Sequence, residues 1–124
     1  MERVPRELFV PIAERSKAYM DIALAIGEGQ TISQPYIVAL ITEALRLQPT
    51  DRVLEVGAGS GYQAAVLAEL VPDSKIVTVE LVRSLAQRAR ETLDRNGYMN
   101  VIVEDATEIL GCPERGPYEA IVVS

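Results

Sequence analysis

The rhythm of apolar and polar positions changes at Pro35. Before it, residues 1–34 are mixed and follow no sustained period, and they read as a loop-rich segment. From Pro35 onward Ile37, Leu40, Ile41, Ala44 and Leu45 recur at helical spacing. Ser33 or Gln34 flanks the start of that helix, and Pro35 suits its first turn, where a missing N–H costs little. "QPTD" (Gln48 to Asp51) is expected to break it.

An alternation follows. "RVLEV" (Arg52 to Val56) reads as a short buried strand, "GAGSG" (Gly57 to Gly61) as a tight turn, and Tyr62 to Val71 as a helix with Ala64, Val66, Leu67 and Leu70 as its stripe. "KIVTVE" (Lys75 to Glu80) is a second strand, and Val82 to Asn96 a second helix of this unit with Leu85, Ala86, Ala89 and Leu93 on one side. "NGY" (Asn96 to Tyr98) closes that helix, "NVIVED" (Asn100 to Asp105) is a third strand and "YEAIVVS" (Tyr118 to Ser124) a fourth. Strand and helix in turn predict an α/β fold: a doubly wound, mostly parallel sheet with helices on both faces. The expected division is an N-terminal segment, 1–34, and an α/β domain, 35–124. Ligands of such sheets sit just beyond the carboxyl ends of the strands. A chain that stops on an apolar strand predicts a sheet incomplete in its C-terminal half, with "AIVV" (Ala120 to Val123) as an open edge.

Those strand ends carry the candidate chemistry. Gly57, Gly59 and Gly61 follow the first strand and open a helix. Residues without side chains let a ligand approach the backbone and let the turn adopt positive φ. The dinucleotide fingerprint is G-x-G-x-x-G, but the position its third glycine would occupy is Tyr62. Glu80 ends the second strand at about the 20-residue offset expected of a ribose-binding acid; the plainer reading is a solvated strand end. Asp105 ends the third strand and suits either a base edge or a cap for "ATEIL". Glu55 puts a charge near the end of a strand that should be apolar on both faces. It calls for a cationic ligand or for an ion pair with a base such as Arg52. The tyrosines read as packing, and the arginines and glutamates of Arg83 to Arg95 as a solvated helix face.

Composition narrows the classes. The 124 residues carry 12 basic against 18 acidic side chains, a net charge of −6, and the basic residues form no run. That average field disfavours a nucleic-acid partner. With no histidine and one cysteine, Cys112, neither an internal disulfide nor a metal cluster is expected. No apolar run approaches membrane-spanning length. The expected setting is cytoplasmic, without a membrane partner.

"VLEVGAGSGYQAAVLAEL", with Glu80 and Asp105, resembles the Class I S-adenosylmethionine-dependent methyltransferases. "VPRELFVP" followed by "AIGEGQTISQPYIVALITEAL" resembles one family among them, the protein-L-isoaspartate (D-aspartate) O-methyltransferases, and "GQTISQP" is the most specific part. The resemblance implies S-adenosyl-L-methionine as cofactor, S-adenosylhomocysteine as product, and damaged proteins or peptides with isoaspartyl residues as substrates of a full-length monomer. It implies that Gly57, Gly59 and Gly61, with Glu55 and Ser60, surround the methionine end. Glu80, beside Leu81, would hold the ribose, and Asp105 with Ala106 would flank the adenine. Thr31, Ile32 and Gln34 would lie against the cofactor and the incoming carboxylate, with Ser33 as the active-site hydroxyl. It also implies that the fourth strand lies beside the first. The family commonly has Gly-Asp-Gly where this chain has "EDA", and it usually has a helix before "VPRELFVP" and further elements after "IVVS". The chain therefore resembles an internal piece, cut at both ends.

The polar stretch "GEGQTISQPY" fits such a reaction. A carboxylate with pKa near ~4 is ionised at neutral pH and needs placement and partial desolvation rather than a base. Hydroxyls and carboxamides orient it without neutralising it. Three other readings are open: a Class I methyltransferase with a different acceptor, a non-catalytic fragment, and a nicotinamide dehydrogenase, which Tyr62 opposes.

Overall fold

The computed structural model describes residues 1, 3–106 and 112–123. The segment before Pro35 is more ordered than its sequence suggests. It holds two 3₁₀ helices, Arg6–Phe9 and Ile12–Lys17, and a hairpin of strands β1 (Leu24–Gly27) and β2 (Gln30–Ile32). The hairpin loop is Glu28–Gly29, with φ of 57° and 70°, the signs a type I′ turn requires. Strand pairing places Leu24 opposite Ile32 and Ala25 opposite Thr31. Val4, Phe9, Val10, Leu24, Ile26 and Ile32 share one apolar cluster with the helices that follow.

Helix α1 (Pro35–Leu45) starts with proline at its first position and Gln34 as cap residue. It ends at Arg46, a non-glycine in the left-handed region at φ 50°, so the stop precedes "QPTD". Its buried face differs from the expected stripe. Val38 is buried and Ile41 and Leu45 are half-buried, while Ile37 and Leu40 are 36% and 49% exposed. Both flanks of this helix are apolar, so periodicity alone does not choose the inward one.

The main sheet contains β3 (Val53–Val56), β4 (Ile76–Glu80), β5 (Val101–Asp105) and β6 (Ala120–Val123), in the order β5-β4-β3-β6 and all parallel. Helices α2 (Tyr62–Leu70) and α3 (Arg83–Arg95) make the β3–β4 and β4–β5 crossovers. Successive crossovers in one direction put both on one face. Leu85, Ala86, Ala89 and Leu93 are the buried stripe of α3, as the spacing predicts. The helix closes when the Tyr98 N–H donates to Leu93 O and the Gly97 N–H to Asp94 O, with Gly97 at φ 83°. On the opposite face Leu54, Val77 and Val79 form a second cluster under Val56, Ala106, Cys112 and Tyr118. Among the described residues the cover there includes the 3₁₀ turn Pro113–Arg115. As expected, β6 lies beside β3, and among the described residues it is the last strand on that side, with Ile121 and Val123 exposed.

Candidate functional site

The site forms where β3 ends. Gly57, Gly59 and Gly61 all have positive φ, at 97°, 54° and 89°, so three residues in five adopt backbone that side chains disfavour. The turn is fastened to β4 at two levels. The N–H groups of Gly57 and Ala58 donate to Val79 O at 2.8 and 3.1 Å. The Gly59 N–H donates to Glu80 Oε1 at 2.8 Å, and the other oxygen of that carboxylate accepts the Val82 N–H at 2.9 Å. Glu80 is therefore buried and anchored, not a solvated strand end. The Ser60 hydroxyl oxygen accepts the Tyr62 N–H at 3.2 Å and helps to start α2.

The three glycines have different steric reasons. A Cβ on Gly61 would lie 3.3 Å from Leu93 Cδ1 and 3.5 Å from Ala89 Cβ, inside the α2–α3 contact. A Cβ on Gly59 would lie 3.7 Å from Ile26 Cδ1, an ordinary contact. A side chain at Gly61 would crowd α3, whereas one at Gly59 would meet only an ordinary contact.

A cavity of about 60 Å³ separates this turn from the hairpin exit. Thr31, Ile32 and Ser33 line it on one side, and Glu55, Gly57, Gly59 and Ser60 on the other. Its volume suits a small group, so a larger ligand would extend over the open strand ends. Glu55 is fully buried and its Oε1 accepts the Thr78 hydroxyl at 2.7 Å. Arg52, the base considered for it, directs its guanidinium to the Arg115 carbonyl and its N–H to Glu119. Glu55 and Glu80 thus place two buried carboxyl groups at the strand ends, Glu55 lining the cavity and Glu80 fastened to the glycine turn.

The remaining candidates lie along the strand ends. Leu81 is 74% exposed. The Ala106 N–H donates to Glu80 O at 2.8 Å, which ties the end of β5 to that of β4. Asp105 is exposed, with Arg90 Nη2 at 3.6 Å from its carboxylate. The segment it was considered to cap, from Thr107 on, lies outside the described residues, as does Ser124. Gln34 is half-buried at the head of α1 and does not line the cavity.

Tyr62 packs, as expected, and does so at the cavity wall. It is buried, lines the cavity, packs edge-on against Phe9 at 5.6 Å and lies under the Arg6 guanidinium at 5.0 Å. Burial pushes its phenol above the ordinary value, and Arg6 partly opposes this. Burial of the thiol and the neighbouring Glu114 carboxylate push Cys112 up, the direction of an unreactive cysteine.

A parallel sheet with order β5-β4-β3-β6, a glycine turn after its central strand and an acid ending the next one make this a Rossmann-like sheet, and its likeness to solved methyltransferases places it in their class. The family model for protein-L-isoaspartate(D-aspartate) O-methyltransferases matches residues 1–124, and the chain belongs to that family. It is 57% identical over 124 residues to the protein-L-isoaspartate O-methyltransferase of Roseiflexus sp. (strain RS-1), covering 100% of this chain and 56% of the relative. A solved protein-L-isoaspartate O-methyltransferase superposes with a TM-score of 0.87 at 37% identity, over 98% of this chain and 40% of that one. A Plasmodium falciparum structure in complex with S-adenosyl-L-homocysteine superposes with a TM-score of 0.78 at 25% identity, over 97% and 61%. The chain spans about half the length of the curated relatives it matches, and its fold is incomplete relative to theirs.

Proposed function

We propose that the protein transfers a methyl group from S-adenosyl-L-methionine to the free carboxylate of L-isoaspartyl and D-aspartyl residues in damaged proteins, the first step of their repair. The observation that carries this is the cavity in which Thr31, Ile32 and Ser33 face Glu55 and the glycine turn. Family membership and the S-adenosyl-L-homocysteine bound by the Plasmodium relative support the cofactor.

The residues present fit that cofactor. Gly57, Gly59 and Gly61 would receive its methionine end against bare backbone, with Ser60 beside them. Glu80 retains lone pairs for ribose hydroxyls after accepting from Gly59 and Val82. Leu81 offers an exposed apolar side chain, and Asp105 with Ala106 would flank the adenine. Glu55, buried and lining the cavity, would lie beside the methionine end. When bound, S-adenosyl-L-methionine supplies an electrophilic methyl group and leaves as S-adenosylhomocysteine. The hydroxyls of Ser33 and Thr31 would orient the substrate carboxylate by donating hydrogen bonds that leave its charge intact, with Gln34 next to them at the head of α1. No residue here must remove a proton, because a carboxylic acid of pKa near ~4 is already ionised. The resulting ester loses methanol when the following backbone nitrogen attacks it. Water then opens the succinimide to aspartate or isoaspartate.

The proposed setting is the cytoplasm, with the full-length protein a monomer that binds neither nucleic acid nor membrane; the charge of −6 supports the nucleic-acid part. No helix among the described residues is long and apolar enough to cross a membrane.

Two measurements test the proposal. Calorimetry should show binding of S-adenosylhomocysteine and none of NAD. Chromatography of an isoaspartyl peptide incubated with protein and S-adenosyl-L-methionine should show succinimide and then aspartyl peptide accumulating. Binding of NAD, or an isoaspartyl peptide that stays unchanged, would overturn it.

A further inference from the structure

Helix α1 lacks a cap from its own cap residue, since the Gln34 side chain makes no capping hydrogen bond. The first amides of a helix need partners outside it. Pro35 has none to satisfy, and those of Ile37 and Val38 donate to Gln34 O at 3.0 and 3.2 Å. The remaining one, Tyr36 N–H, donates to Asp21 Oδ1 at 2.8 Å, across 15 residues of sequence. A carboxylate at this end also meets the positive pole of the helix dipole.

Asp21 is itself attached to the site. The carbonyl of its neighbour Ile22 accepts from Arg6 Nη2 at 3.3 Å. Arg6 is 1% exposed, and its guanidinium lies over Tyr62, the first residue of α2 after the glycine turn. A continuous path thus runs from the glycine turn through Tyr62, Arg6 and Ile22 to Asp21, and from there to the head of α1. On the other side, Ile32 is buried at the end of the hairpin. Ser33 and Gln34 lie between these two anchors.

We infer that Asp21 is a positioning residue for the segment Thr31 to Gln34. It holds the segment's C-terminal end in register with the glycine turn, and so sets where the Ser33 hydroxyl lies in the cavity. The inference deepens the methyl-transfer reading and rests on it for its catalytic consequence.

The test compares Asp21→Ala and Asp21→Asn with the wild-type chain. Removing a helix cap corresponds to about a 3- to 30-fold effect. In Asp21→Ala, NMR should show Tyr36 amide exchange accelerating by about that factor and the Ser33 and Gln34 amide resonances moving. Affinity for S-adenosylhomocysteine should stay within about threefold, while kcat on an isoaspartyl peptide falls by about 3- to 30-fold. Asn presents the same acceptor oxygen, so Asp21→Asn should fold as wild type does and recover most of the loss. If the Tyr36 amide changes while those of Ser33 and Gln34 do not, Asp21 is only a cap and the inference is overturned. Equal kcat in Asp21→Ala and wild type overturns it as well. If the wild type transfers no methyl group, the functional reading fails, and the Ser33 and Gln34 resonances still decide what Asp21 holds.

Discussion

At Glu80 the proposed ribose contact would fall on a carboxylate that already fastens the glycine turn. In the free protein its carboxylate accepts the N–H groups of Gly59 and Val82. Both bonds are charge-assisted, and the ribose reading adds further ones to the same oxygens. Glu80→Ala should raise the dissociation constant for S-adenosylhomocysteine at least tenfold, from a loss of about 1.5–3 kcal/mol; calorimetry giving less than tenfold would remove the ribose role. The glycines should separate by property. Gly61→Ala combines φ of 89° with a Cβ 3.3 Å from Leu93, and should lose about 1–3 kcal/mol of stability to denaturant. Gly59→Ala carries the strain of φ 54° but meets only an ordinary contact with Ile26, so it should lose less stability than Gly61→Ala and should weaken cofactor binding. A Gly61→Ala chain as stable as wild type would contradict that division. Glu80 and the glycine turn were legible in the sequence because one strand–turn–helix–strand unit fixes their spacing. Asp21 and Arg6 were not, because their contacts, Asp21 with Tyr36 and Arg6 with Ile22, span 15 and 16 residues and follow no local period.

Elements were legible in proportion to their length and one-sidedness. The stripe of α3 and the four parallel strands could be read directly, because buried parallel strands are apolar runs and α3 has one apolar side. The hairpin could not, since β1 and β2 have 4 and 3 residues. Its clearest signal, Glu28–Gly29, lies among residues with several polar roles. The inward face of α1 was hidden for a different reason: apolar residues occupy both flanks. The end of α1 carries a measurable cost. Arg46 holds φ of 50°, where a Cβ is disfavoured and glycine is the usual residue. Arg46→Gly should raise stability by about 0.5–1 kcal/mol, seen as a higher urea midpoint at unchanged slope. An unchanged or lower midpoint would show that the Arg46 side chain contributes more than the backbone strain removes.

Across the whole molecule, one apolar cluster joins residues before Pro35 to α2, α3 and the sheet, so the hairpin exit and the glycine turn are held by the same core. Tyr62 and Tyr98 of this cluster, with Tyr118 on the other face of the sheet, make stability depend on alkaline pH. Burial raises the phenols of Tyr62, Tyr98 and Tyr118 above their ordinary value. The folded chain therefore binds these protons more tightly than the unfolded chain. Their contribution is complete below pH ~10 and is lost as pH rises through the folded values. Arg6, lowered by burial, acts in the opposite direction, while Tyr19 and Cys112 are raised as the three phenols are. The melting temperature should fall as pH increases beyond about 10; a constant value through that range, followed by circular dichroism, would contradict the burial of these phenols.

The central claim is that the hairpin exit and the glycine turn together place an isoaspartyl carboxylate for methylation. Transfer of labelled methyl from S-adenosyl-L-methionine to a matched peptide pair, identical except for isoaspartate or aspartate at one position, tests it most directly. Base-labile label should appear on the isoaspartyl peptide alone, and Ser33→Ala should lower the rate more than it lowers affinity for S-adenosylhomocysteine. Equal labelling of both peptides, or label on neither, would contradict it.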